Sequence, residues 1–112
     1  MGKNVLLLGR KAIVLDDVKT KVAVQDVTLF SGTTFDDVRN VFGARSIDIV
    51  IMGGGLDLEV RLEIVKYIFT VSTSTTVHMK DRNSGPQGML PFVNGVLKGL
   101  VDMKLQREDP EQ

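Results

Sequence analysis

The chain has no cysteine. That single absence removes disulfides, thiolate metal sites, iron–sulfur clusters and cysteine nucleophiles, and it fits a reducing compartment. Only one histidine is present, His78, too few for an ordinary zinc site. Charge of one sign is also missing in excess: 14 lysines and arginines stand against 14 aspartates and glutamates, a formal net charge of zero. No long-range field draws nucleic acid or an anionic membrane to such a chain, so neither partner is expected. Near-neutrality weakens the repulsion between copies, and a homo-oligomer is expected. Long hydrophobic runs are absent at the start, where Met1-Gly2-Lys3-Asn4 leads only into Val5-Leu6-Leu7-Leu8. That is too short for a signal peptide or a membrane span, so the expected location is cytoplasmic. No internal repeat or linker composition interrupts the chain.

What is present suits one globular domain. The 112 residues are 43% hydrophobic and 25% charged, close to the globular average. The expected domain covers residues 1–104, and the charged stretch 105–112 is expected to be a flexible tail. Short apolar, β-branched runs stop at glycines or polar loops. Val5-Leu6-Leu7-Leu8 ends at Gly9, Val27-Thr28-Leu29-Phe30 at Ser31-Gly32, and Ile47-Asp48-Ile49-Val50-Ile51-Met52 at Gly53-Gly54-Gly55. Thr75-Thr76-Val77-His78-Met79 ends in a polar loop. Runs of this kind predict strands covered on both faces.

Helical spacing fills the gaps. Leu58, Leu62, Val65 and Phe69 recur at intervals of four, three and four, with Glu59, Arg61, Glu63 and Lys66 assigned to the other face and Asp57 as a cap. Residues 34–42 predict a shorter helix with Asp36 and Asp37 in its first turn and Gly43 as C-cap. A last helix is expected over 87–104, striped by Leu90, Val93, Leu97, Leu100 and Val101. Gly95 and Gly99 share one of its faces; each weakens a helix by roughly 1 kcal/mol, which suggests close approach of another backbone, sheet or subunit. Residues 11–24 are ambiguous. Leu15, Val18 and Val22 fit a helix, whereas Val18, Thr20, Val22 and Val24 alternate as in a strand that would turn at Gln25-Asp26. A helix is favoured because parallel neighbours need a crossover. The expected fold is α/β: a three-layer sandwich with a four-stranded parallel sheet in the order 2-1-3-4 and helices on both faces.

Open parallel sheets bind ligands beyond the carboxyl ends of their strands, where the strand order reverses. Here that place lies between the first and third strands, where Gly9-Arg10-Lys11 and Gly53-Gly54-Gly55 would meet. Glycines admit close approach, helix starts attract anions, and Arg10 and Lys11 add positive charge. The alternative is a tight turn flanked by solvated cations. Ser31-Gly32-Thr33-Thr34 would either line the same pocket or cap a helix. Lys80 and Arg82, in the polar loop after the fourth strand, would hold a phosphate or carboxylate or simply face solvent. His78 points away from the face of Val77 and Met79 and is either packed or a general acid–base.

In element order alone, over about residues 3–103, the chain resembles the flavodoxin-like group and within it the bacterial receiver domains. The resemblance implies a phosphoacceptor aspartate at the end of the third strand and acids after the first; Gly53 and Gly9-Arg10-Lys11 stand there instead. Lys80 alone matches the receiver lysine. Dinucleotide binding needs G-x-G-x-x-G, and the first turn has one glycine. No catalytic set, metal site or cofactor is assigned. The expected function is therefore a non-enzymatic binding or regulatory module. It would recognise a small anionic ligand or a partner protein through Gly9, Arg10, Lys11, Ser31, Gly53, Gly54, Gly55, Lys80 and Arg82. The alternatives are a small enzyme using His78, Lys80 or Arg82 at a subunit interface, and a degenerate receiver-like interaction domain.

Overall fold

A computed structural model describes residues 2–101, and the tail 105–112 lies outside them. The elements alternate: β1 (Lys3–Leu8), α1 (Ala12–Lys21), β2 (Val27–Gly32), α2 (Phe35–Ala44), β3 (Ile49–Met52), α3 (Leu58–Val71), β4 (Thr76–Met79) and α4 (Met89–Val101), the last preceded by a 3₁₀ turn at Pro86–Gly88. The four strands form one parallel sheet in the order β2-β1-β3-β4. Gly9 and Gly53 therefore leave adjacent strands, and Gly53 N donates to Leu8 O at 2.7 Å.

The period-two pleat of β1 divides the core. Val5 and Leu7 point with Ile49 and Ile51 toward α1 and α4, meeting Leu15, Val18, Met89, Val93 and Leu97. Leu6 and Leu8 point with Val50 and Met52 toward α2 and α3, meeting Val38, Ile64 and Ile68. Both faces of β1 and β3 are buried, which is why those runs read as continuously apolar.

Residues 11–24 resolve as a helix followed by an extended connector. Val22 and Val24 pack against the core while Ala23 and Gln25 are exposed, so the alternation is real but confined to the connector. It is tied down by Ala23 N donating to Asn94 Oδ1 of α4 and turns at Asp26, the one non-glycine with positive φ (67°) among the described residues.

Three local expectations are corrected. Gly43 lies inside α2, and the helix instead ends at Arg45, whose N–H reaches Val41 O. The Cβ positions of Gly95 and Gly99 face open space, so the sheet does not approach them. On α3 the buried residues are Arg61, Ile64 and Ile68, whereas Leu58, Leu62 and Phe69 are more than half exposed. Apolar residues surround most of that helix, and the sheet selects the stripe carrying Ile64 and Ile68.

Candidate functional site

At the carboxyl end of the sheet, on the side of α1 and α4, lies a cleft of about 310 Å³. Gly9, Arg10 and Lys11 form one wall, and Gly54 and Gly55 form another. Lys80, Arg82, Gly85 and Pro86 close the third side, with Val14, Leu15 and Met89 as apolar lining. The residues after β1, β3 and β4 thus converge. Ser31 and Gly53 do not line the cleft. β2 lies beyond β1, and Ser31 Oγ instead accepts a long hydrogen bond from Lys19 Nζ at 3.5 Å. Gly53 is buried beneath, against Leu8 O and the Met89 sulfur.

The glycines have a packing role that the sequence does not show. A Cβ on Gly54 would come within 2.3 Å of Asp81 O and 2.9 Å of Arg82 Cα, so only glycine lets the segment after β4 cross over the exit of β3. A Cβ on Gly55 would press on the Arg10 side chain at 3.2 Å. Gly85 holds a positive φ of 68° ahead of the 3₁₀ turn, where an L side chain is strained.

Four basic side chains, Arg10, Lys11, Lys80 and Arg82, line the cleft, and no acidic residue does. Arg10, Lys11 and Arg82 are exposed, but Lys80 is 4% exposed. Its ammonium has three N–H donors, and the structure uses one of them, toward Asp81 O at 2.9 Å. The Asp81 carboxylate is turned to Ser84, accepting from Ser84 Oγ at 2.8 Å and Ser84 N at 3.2 Å. Those bonds, the hydroxyl's above all, with a smaller contribution from the nearby Lys80 charge, hold the Asp81 carboxyl below the usual carboxylate range and keep it ionised. Among the described residues, neither ion pair involves Lys80; they join Lys21 to Asp17 and Arg39 to Asp36. α1 adds its positive end: it starts beside the cleft, with no side-chain cap at Lys11 and no acid in its first turn.

α2 shows how this chain treats an ordinary helix start. Thr34 Oγ1 accepts from Asp37 N at 3.1 Å, and Asp37 Oδ2 accepts from Thr34 N at 3.2 Å and Thr33 N at 2.8 Å. Ser31-Gly32-Thr33-Thr34 therefore leads into a capping box. The backbone N–H of Thr33 lowers the Asp37 pKa.

His78 is on the α4 side of β4, two residues from Lys80, but it is not part of the cleft lining. Its Nε2 lies 3.0 Å from Thr76 Oγ1, and burial lowers its pKa, favouring the neutral ring. No group of three or more His, Asp or Glu placed to hold a metal occurs among the described residues. No described helix is long and apolar enough to cross a membrane. Lys80 is among the residues the sequence offers for an anion, but its polar-loop setting does not show that it is buried, continuing the pleat of His78. Comparison with known proteins finds no family model and no curated protein that matches this chain.

Proposed function

We propose that the cleft binds a small anionic ligand carrying a phosphate or carboxylate group, and that the protein acts as a binding or regulatory module. The observation that carries this reading is Lys80, a buried lysine whose ammonium makes no ion pair within 4.0 Å among the described residues, in a lining whose charged residues are all basic. Burying such a charge costs several kcal/mol after relaxation unless it is compensated. An anionic oxygen about 4 Å from it gains roughly 4 kcal/mol at an effective dielectric of ~20, against ~1 kcal/mol in water. The exposed Arg10, Lys11 and Arg82 add attraction and steering at the lower, solvent-screened value. Unpaired amides at the start of α1 supply further donors. A volume of 310 Å³ suits a small metabolite rather than a macromolecule.

The element order supports a likeness to flavodoxin-like domains, but Gly53 offers no group to phosphorylate. A cytoplasmic setting, supported by the lack of cysteine, is part of the same proposal. An enzyme built on His78 has less support, because that ring is spent on Thr76 and sits outside the lining.

Thermal unfolding and calorimetry with inorganic phosphate, pyrophosphate, nucleotides and di- or tricarboxylates test the reading. At least one anion should raise the melting temperature, by mass action on the folded state. Lys80→Met, which keeps the length and loses the charge, should weaken that binding roughly 10- to 100-fold, the value of a hydrogen bond to a charged group. Silence toward every anion, or unchanged affinity in the variant, rejects it.

A further inference from the structure

Six large apolar side chains are strongly exposed among the described residues, and four of them, Leu58, Leu62 and Phe69 of α3 and Met79 of β4, share one flank. Their position is set by Tyr67, whose ring packs edge-on against Phe35 and Phe42 of α2 at centroid distances of 5.5 and 6.3 Å. At 100° per residue, Leu58, Leu62, Val65 and Phe69 lie about 140–180° round the helix from Tyr67. The stripe is therefore on the flank of α3 away from α2, above the open edge of β4.

That edge is ready to pair. Thr76 N donates to Asp48 O and Lys80 N to Met52 O, both toward β3. Strand alternation then aims the N–H and C=O groups of Val77 and Met79 outward. β4 carries no charged residue. The opposite edge is guarded: Lys19 reaches Ser31, and the Arg45 guanidinium lies 4.7 Å from the Phe30 ring centroid. Charged side chains of that kind discourage edge pairing.

We propose that this flank is the seam of a symmetric homodimer, in which β4 pairs antiparallel with its own copy and the two α3 helices pack side by side above it. Three features favour a second copy as the occupant. The first is reciprocal hydrogen bonding: Val77 of one protomer exchanges both backbone bonds with the partner's Met79, and the reverse, placing His78 beside the partner's His78 on the two-fold axis. The second is spacing. α3 seats Ile64 and Ile68 over Val50, Met52 and Val77, straddling β3 and β4. With strands about 4.8 Å apart, the two-fold sets the α3 axes about 10 Å apart, at the distance helices pack. The third is charge: Glu59 precedes the middle of the stripe and Lys66 follows it, both about 80–100° from Tyr67 on the outer face of α3, so antiparallel helices bring Lys66 toward the partner's Glu59. A four-residue strand and one helix flank make a small interface, so a reversible, concentration-dependent dimer is expected.

The proposal is independent of the cleft and its ligand. Sedimentation of the full chain across micromolar concentrations should show a monomer–dimer equilibrium. Leu62→Glu, an exposed position that leaves the core intact, should weaken dimerisation at least tenfold with unchanged circular dichroism. Lys66→Glu should also weaken it, and adding Glu59→Lys should restore it, an outcome that only a self-complementary seam gives. Since the chain lacks cysteine, His78→Cys creates a unique thiol that should cross-link to its own copy under mild oxidation. A monomer at every concentration overturns the proposal, as does a dimer indifferent to Leu62→Glu or one captured only by cysteines placed on α4.

Discussion

Two neighbouring surfaces of β4 reverse the usual order of burial in opposite ways. On the cleft wall a charge is hidden: Lys80 is 4% exposed. On the outer flank the preceding residue, Met79, is 43% exposed. The same reversal occurs one layer above, where Arg61 of α3 is 8% exposed and the next residue, Leu62, is 53% exposed. Charged groups are seldom buried unpaired, and clustered large apolar side chains are seldom left in water. The comparison separates two surfaces at the end of one strand, a polar concavity proposed to bind an anion and an apolar flank proposed to pair with a second copy. It also shows that a buried charge need not mark a ligand site. Lys80 opens onto a cleft, whereas Arg61 Nη1 donates to the Lys80 carbonyl at 3.3 Å and its Nε has no partner.

The largest effect expected is at Gly54. Gly54→Ala forces a Cβ against the backbone of Asp81 and Arg82 and should cost about 1–3 kcal/mol, as overpacking does. Anion binding should fall with it while dimerisation persists; loss of both together would break the separation of the two surfaces. Asp37→Asn is a control outside both. It should cost about 1 kcal/mol through the capping box, measured by denaturant unfolding, with anion affinity and sedimentation unchanged. The sign of its pH dependence follows from the lowered pKa. The Asp37 contribution is complete above the unfolded-state value near 4, and it is lost as pH falls through the folded-state value. The gap between wild type and variant should therefore close in acid. The smallest effect is at Arg61. Arg61→Met removes a charge with an unsatisfied nitrogen and should be neutral or stabilising by up to about 1 kcal/mol, without altering anion affinity. A loss of affinity there would make Arg61 part of the site and undo its contrast with Lys80.

Much of this was legible before the coordinates. The runs Val5-Leu6-Leu7-Leu8 and Ile49-Val50-Ile51-Met52 read as doubly covered strands, and the alternation of strands and helices implies a parallel sheet, for which the order 2-1-3-4 is the one expected and found. The convergence of Arg10, Lys11, Gly54, Gly55, Lys80 and Arg82 followed in turn, because exit loops of adjacent strands share one edge. Other features depend on contacts between distant segments, which local pattern does not encode. α3 has two interleaved apolar stripes, and the choice between them turns on whether Arg61 is inside. The need for glycine at position 54 appears only once Asp81 is seen crossing it. Ser31 is a different case: the expected order 2-1-3-4 already sets β2 on the far side of β1, where Ser31 meets Lys19.

The bare outer face of α4 carries its own consequence. Among the described residues, nothing outside the helix's own backbone lies within 4 Å of the Cβ positions of Gly95 or Gly99, so a methyl group fits at either without displacing any of those residues. Each glycine lets the unfolded chain explore more backbone states and leaves roughly 1 kcal/mol of helix propensity unrealised. This helix is thus an untapped reserve of heat tolerance, open to engineering without touching either proposed recognition surface.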